Sequence, residues 1–322
     1  MGQKSIAVLT SGGDAPGMNA AVRAVVRTAL SFDMKVYGVK RGYNGLIKRN
    51  FNEMDLRSVS DILQDGGTFL YTARSPEFNT KEGVAKAAAV CSDVGISGVV
   101  VIGGDGSFRG AKDLTDAGIN CIGVPGTIDN DIACTDFTIG YDTALNTAME
   151  MVDRIRDTTE ANDRCSVVQV MGRHCGDIAL NTAIASGAIA TIVPEEPFDF
   201  QRDLADRIEK AKLTGKRHYI VVVAEGVGGS EALANRIQSE MGIETRATTL
   251  GHVQRGGSPT VRDRVLASRF GYYAVDLLRK GAKERVVAIR DNKIVDYDIT
   301  EALQMKRVFD SELYGISDKL SI

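Results

Sequence analysis

Short apolar runs rich in Val and Ile recur at 5–9, 35–39, 98–102, 119–124, 166–170, 189–193, 219–224 and 285–289, each of a length suited to one buried strand. Between most of them the pattern shifts to the 3.6-residue period of an amphipathic helix. In 143–157, for example, Leu145, Ala148, Met149, Val152 and Ile155 fall along one face, while Glu150, Asp153, Arg154 and Asp157 populate the rest. That stripe is expected to be core. Strands alternating with helices predict an α/β protein, with mainly parallel sheets covered by helices. The chain's 322 residues are long for one core and short for three domains, so two lobes are expected. No low-complexity linker or short-period repeat separates them, and ordinary crossings of the chain must join them.

Candidate chemistry lies where these runs end, which is where open α/β sheets bind ligands. The first run leads into Thr10-Ser11-Gly12-Gly13-Asp14-Ala15-Pro16-Gly17-Met18-Asn19, which opens a helical segment through about Leu30. The run at 98–102 leads into Gly103-Gly104-Asp105-Gly106-Ser107 and a helix-like stretch from Phe108 to Ala117. Glycines without Cβ let backbone N–H groups approach phosphate oxygens, a following helix offers its positive end, and the embedded Asp can hold Mg²⁺. Neither cluster has the lysine of a P-loop or a full G-x-G-x-x-G fingerprint, so phosphate binding by amides and helix ends is the better reading. A third cluster, Val124-Pro125-Gly126-Thr127-Ile128-Asp129-Asn130-Asp131, follows 119–124. Two acids one residue apart on a short loop call for a cation, a partner or a raised pKa. A surface Asx turn is the alternative, since Asn and Asp are ordinary turn formers.

Composition narrows the classes. With 42 acidic and 39 basic residues the net charge is −3, which argues against a general nucleic-acid or anionic-membrane surface while leaving room for local basic pockets. There is no uninterrupted apolar run of about 18 residues, and the chain begins by running into a strand rather than a signal-peptide block, so no membrane partner and a cytoplasmic location are expected. Cys91, Cys121, Cys134, Cys165 and Cys175 contain no C-x-x-C pair and no metal-ligand spacing. Cys121 and Cys165, in or beside apolar runs, read as small buried thiols, and no pattern would activate any of the five as a nucleophile.

The glycine-rich opening, Gly103–Ser107, Pro125–Asp131, Met171-Gly172-Arg173 and Gly251-His252-Val253-Gln254-Arg255-Gly256-Gly257 stand in the order seen in bacterial ATP-dependent 6-phosphofructokinases, which the chain resembles over nearly its whole length. The resemblance implies two Rossmann-like lobes of discontinuous sequence with an active-site cleft between them. The larger, residues 1–140 plus 254–304, would bind ATP and Mg²⁺; the smaller, 141–253 plus 305–322, would bind fructose 6-phosphate. It implies Asp129 as the base for the fructose 1-hydroxyl, Thr127 as a positioner of the transferred group, and Asp131 in the neighbouring polar network. Asp105 becomes the principal Mg²⁺ carboxylate. Gly13, Gly104, Gly106, Ser107 and Gly110 would line the nucleotide phosphates, with Arg74 and Ser75 near the transferring phosphate. A solvent-exposed ion pair is the alternative for Arg74.

Sugar-phosphate binding is assigned in the same way. Met171, Gly172 and Arg173 follow the run at 166–170, and Glu225 follows 219–224, again at strand ends. Carboxylates accept from sugar hydroxyls, and arginines bind phosphate through paired donors. The resemblance gives Arg173, Glu225, His252 and Arg255 to fructose 6-phosphate, with Ile128, Val253 and Gln254 lining the site, and adds Arg164 and Arg246 from a neighbouring subunit. His252 has an ordinary loop role as its alternative. A homotetramer with dihedral symmetry follows, its active sites shared across an interface.

Three further expectations come from the resemblance. Pyrophosphate-using relatives typically carry Asp at the position of Gly106 and Lys at that of Gly126, and this chain has glycine at both. A catalytically silent sugar-phosphate sensor would be expected to lose the base or the metal carboxylate, yet Asp105, Asp129 and Asp131 are all present. An effector pocket is matched by Arg23, Arg27, Arg156 and Lys216, whereas Leu56, Ile189 and Thr214 stand where relatives have an arginine, a glutamate and a lysine. Weak control by ADP and phosphoenolpyruvate is the expectation, with Arg57 as a partial substitute for the first loss.

Overall fold

The computed structural model describes residues 4–321. Its strands are β1 (Ser5–Thr10), β2 (Lys35–Val39), β3 (Phe51–Glu53), β4 (Ile96–Gly103), β5 (Asn120–Pro125), β6 (Cys165–Val170), β7 (Ala190–Ile192), β8 (Tyr219–Ala224), β9 (Thr245–Thr249), β10 (Arg285–Arg290) and β11 (Lys293–Asp298). The helices are α1 (Met18–Ser31), α2 (Gly42–Ile47), α3 (Lys81–Val94), α4 (Asp105–Asp116), α5 (Tyr141–Ala161), α6 (Asp177–Ser186), α7 (Asp206–Leu213), α8 (Ser230–Met241), α9 (Val261–Lys280), α10 (Ile299–Gln304) and α11 (Ser311–Leu320).

The chain divides into two compact units. The first comprises Met1–Ile128, Ile132–Thr143 and Arg255–Arg307, and the second Asp129–Asp131, Ala144–Gln254 and Val308–Ile322. In the first, seven strands run in the order β11-β10-β5-β4-β1-β2-β3. The inner pairings are parallel, and the edges β3 and β11 pair antiparallel. Ile6, Ala7, Val8 and Leu9 of β1 and Val99–Ile102 of β4 are fully or almost fully buried, as expected of central parallel strands covered on both faces. The second unit has a parallel sheet ordered β7-β8-β6-β9. Its core gathers Cys165, Val167, Val221, Val223, Leu204, Ile208 and Ile237.

Two departures from the sequence pattern have simple causes. In α5 the fully buried line is Ala144, Ala148 and Val152, whereas Leu145, Met149 and Ile155 are only half-buried. Small side chains let the helix pack closely along one line, and the larger apolar residues of the stripe flank it. The polar strands β9 and β11 have no apolar run. Their register comes instead from pairing, Ser166 with Arg246 and Ala288 with Val295.

Candidate active site

Three candidate turns lie within the first unit, where β1, β4 and β5 present their carboxyl ends side by side. Ser11 N donates to Ile102 O at 2.9 Å and Gly126 N to Gly103 O at 3.0 Å, which locks the three glycine-bearing turns together. Their closeness is what requires glycine. A Cβ on Gly103 would stand 2.4 Å from Ser107 Oγ and 2.4 Å from Ser11 O, a backbone atom that cannot give way. Ser107 is 3% exposed and its hydroxyl would be 3.5 Å from a Cβ on Gly12. Gly104 faces Thr127, whose Cβ would lie 4.0 Å from a Cβ there. Thr127 is itself fixed by Thr127 N donating to Ile139 O at 3.1 Å and by Thr138 Oγ1 donating to its carbonyl at 2.6 Å.

Asp105 is the first residue of α4 and half-buried, so its carboxylate sits at the helix's positive end beside the glycine turn. Among the described residues no group of three or more His, Cys, Asp or Glu side chains could hold a metal by itself. A single carboxylate beside a glycine-bearing turn suits Mg²⁺, which keeps waters and takes phosphate oxygens in preference to an all-protein cage. Gly106 faces open space, with nothing within 4 Å of the point where a Cβ would stand. Gly110 has another employment. It admits the rings of Tyr43 and Phe78, stacked with centroids 4.0 Å apart, and a Cβ there would meet Tyr43 at 2.8 Å. Arg74 and Ser75 lie on the irregular segment before α3. Arg74 is exposed, and Ser75 O accepts from Phe78 N at 3.1 Å.

Arg255 also belongs to the first unit, and its guanidinium lies against the Gly13 turn. A Cβ on Gly13 would be 2.6 Å from Arg255 Nη1. The structure thus brings Arg255 to the glycine cradle, an association that no local pattern in the sequence signals.

The second unit holds the remaining candidates. Met171, Gly172 and Arg173 follow β6, and Arg173 has φ 58. Glu225, just after β8, accepts from Arg173 N at 2.6 Å and Gly172 N at 3.2 Å, so its carboxylate shapes the turn that presents Arg173. Arg173 Nη1 lies 3.7 Å from Asp131 Oδ2. Asp129 is 7% exposed and Asn130 2%, and Asn130 Nδ2 donates to Asp177 Oδ2 at 3.1 Å. His252 and Val253 are exposed on a short turn. Gln254 is fully buried there, and its Nε2 donates to Gly251 O at 3.1 Å.

Arg164 and Arg246 converge on one acid. Glu244 Oε1 is 2.9 Å from Arg164 Nε and 3.2 Å from Arg246 Nη2. Arg164, then Arg246, hold the Glu244 carboxyl below the usual carboxylate range. Neither Glu244, which holds two residues assigned to a neighbouring subunit's site, nor Asp177, which accepts from Asn130, carries a motif that the sequence could signal. Of the effector candidates, Arg23 and Arg27 lie on α1. Arg156 donates to Ser186 O in the second unit. There, burial and then the charge of Arg156 push the Lys216 ammonium below its ordinary value. All five cysteines are buried, and burial pushes the Cys91 and Cys165 thiols up to about 12, which leaves them inert.

A phosphate cradle at parallel strand ends, followed directly by paired acids, has counterparts among known proteins. Residues 5–278 match the family described as Phosphofructokinase. An ATP-dependent 6-phosphofructokinase of Clostridium botulinum (strain Hall) is 57% identical over 318 residues, spanning 99% of each chain. The structure of phosphofructokinase from Saccharomyces cerevisiae aligns with a TM-score of 0.90 and 36% identity over 99% of this chain, which spans 48% of the yeast chain's length. A pyrophosphate-dependent phosphofructokinase from Marinobacter aquaeolei aligns with a TM-score of 0.84 over 95% of this chain and 86% of its own, at 23% identity, a likeness of fold alone. The family match over most of the chain and the full-length identity to a bacterial relative show the same thing: the chain belongs to the phosphofructokinase family.

Proposed function

We propose that this chain transfers the terminal phosphoryl group of ATP to the 1-hydroxyl of fructose 6-phosphate, giving ADP and fructose 1,6-bisphosphate. The observation that carries the reading is the joining of three glycine-bearing turns by backbone hydrogen bonds, with Gly104 facing Thr127, two residues before Asp129. Phosphoryl transfer needs positioning, neutralisation of charge and removal of the alcohol proton. Amides of Gly13, Gly104, Gly106 and Ser107 cradle the phosphates, with Arg74 and Arg255 supplying positive charge. Asp129 accepts the hydroxyl proton, Thr127 orients the transferring group, and Asp131 with Arg173 completes the polar surroundings. Asp105 would hold Mg²⁺, whose chemistry is to neutralise charge on the phosphate oxygens. Glu225, Arg173, His252 and Arg255 take the sugar phosphate.

Arg164 and Arg246 complete the 6-phosphate pocket of a neighbouring copy in a homotetramer. Their shared anchor, Glu244, supports the pairing, because one carboxylate already holds both guanidinium groups within reach of a single anion. Donor choice is read from Gly106 and Gly126. A side chain at 106 would project into the open space of the cradle. One at 126 would start 3.1 Å from Ile102 Cγ2 and 3.3 Å from Met18 Cε, so those side chains would have to shift to admit it. ATP is therefore the donor.

The experiment is a coupled assay of purified protein with fructose 6-phosphate and either ATP or pyrophosphate, with and without Mg²⁺. Turnover is expected with ATP and Mg²⁺ only. Turnover with pyrophosphate and none with ATP would reverse the donor assignment, and no turnover with either would favour a silent sensor.

A further inference from the structure

Asp129, Asn130 and Asp131 group with the second unit, although the residues on either side, Ile128 and Ile132, group with the first. Those isoleucines are 2% and 1% exposed, so this three-residue finger leaves and rejoins the chain at buried anchor points. Anchored ends do not fix the rotation of the residues between them. At the middle of the finger stands Asn130 with φ 50, a left-handed conformation that Asn tolerates better than most residues but that must still be held in place. Asn130 Nδ2 donates to Asp177 Oδ2 at 3.1 Å, a bond strengthened by the acceptor's charge.

Asp177 is itself well fixed. It is the first residue of α6, its carbonyl accepts from Asn181 Nδ2 at 2.9 Å, and the preceding Gly176 N donates to Glu195 Oε1 at 2.8 Å. The finger is therefore steered at Asn130 by a helix that begins 47 residues later in sequence.

We propose that Asp177 is a positioning residue for the phosphoryl transfer: through Asn130 it sets the rotation of the finger, and so the direction in which the neighbouring Asp129 carboxylate faces the substrate hydroxyl. The proposal rests on the reading of Asp129 as the base. Asp177 touches no reacting atom in this scheme. Its effect falls on turnover, and nucleotide affinity, set by the glycine cradle of the first unit, is left alone.

The test measures kcat and the KM values for ATP and fructose 6-phosphate in Asp177→Ala, Asp177→Asn, Asn130→Gly and the double variant Asp177→Ala/Asn130→Gly. Asp129→Asn serves as reference, and thermal unfolding is followed for each. Asn130→Gly suits the left-handed backbone and keeps the fold, so it carries the test even if Asp177→Ala folds poorly. Each single truncation should lower kcat by about 10–100-fold, the scale on which misplacing a reacting group by about an ångström acts. KM for ATP should stay within about twofold. The double variant should be hardly worse than the poorer single, because both remove the same bond. Asp177→Asn, which keeps an acceptor oxygen, should recover much of the loss. Unchanged kcat in the singles beside an inactive Asp129→Asn, or losses that multiply in the double, would overturn the positioning role. Wild-type turnover of Asp129→Asn would remove the base reading, and this proposal would fall with it.

Discussion

At the scale of single residues, Asp129 is where sequence and packing meet. It follows β5 by four residues, and its side chain is 7% exposed within a finger flanked by buried isoleucines. A carboxylate so enclosed suits the proposed role in proton transfer, because its surroundings, and not bulk water, determine its orientation. Asp129→Asn keeps size and hydrogen-bonding capacity but cannot take a proton. Turnover should fall by about 10²–10⁴-fold, with nucleotide binding and thermal stability nearly unchanged. Steady-state kinetics beside a nucleotide-binding titration reads both, and wild-type turnover at saturating substrates would take the base role from Asp129.

Among the elements, α9 carries two aspartates whose titrations pull stability in opposite directions. Asp263, near its start, accepts from Gly140 N at 2.9 Å, Thr143 N at 2.8 Å and Thr143 Oγ1 at 2.6 Å, tying the beginning of α5 to that of α9. Burial pushes its carboxyl up, against the pull of the Thr143 and Gly140 bonds. A raised folded value makes its contribution complete below the unfolded carboxylate range, about 3.9, and reduces it as pH rises through the folded value. Asp276, near the end of α9, is the reverse. Lys280 Nζ at 2.6 Å and Arg279 Nη2 at 2.7 Å hold its carboxyl below the usual range. Its stabilisation is complete above about 3.9 and is lost as pH falls through the lowered folded value. Because Lys280 is 62% and Arg279 46% exposed, the pairing is screened and is worth at most about 1 kcal/mol. Asp276→Asn should therefore lower Tm by about 1 °C near neutral pH, with the gap to the parent closing below about pH 3 in thermal unfolding scans. A gap that persisted unchanged at low pH would show that the loss is one of packing and not of charge.

For the whole molecule, the proposed tetramer makes each active site depend on two copies. Arg246→Ala and Asp129→Ser proteins should each be nearly inactive. After subunit exchange the mixture should regain part of the activity, because some interfaces then pair an intact base with an intact arginine. Mixed tetramers that form but regain nothing would count against the shared site. Regulation belongs to the same scale. Ile189 is fully buried in the core of the second unit, Thr214 Oγ1 donates to Ala211 O at 2.8 Å, and Leu56 is 53% exposed. Leu56 and Thr214 offer no positive charge to an anionic effector, and Ile189 offers no carboxylate to the effector's metal. Each missing charge-assisted contact costs about 1.5–3 kcal/mol, so millimolar MgADP or phosphoenolpyruvate should barely move half-saturation by fructose 6-phosphate. A several-fold shift that Arg23→Ala abolishes would contradict this, with Arg57 as the residue to test next.

What the sequence determined by itself is the set of strands that periodicity can reveal. The eight apolar runs are strands, since a strand covered on both faces must be apolar at almost every position. The three glycine-bearing turns were legible as turns because they end apolar runs, and at Gly103 the packing shows why glycine stands there: a Cβ would meet Ser11 O at 2.4 Å. Tertiary structure alone decided the rest. The short edge strand β3 and the polar strands β9 and β11 exist because a paired neighbour supplies their hydrogen bonds. Arg255 reaches Gly13 across 242 positions in the numbering, and Asp177 reaches Asn130 across 47. Glu244 gathers Arg164 and Arg246 only because parallel strands lay Ser166 beside Arg246. Periodicity reports which face of an element is apolar, a local property. Which distant side chain completes a site depends on strand order and helix placement, which the burial of all those faces together decides.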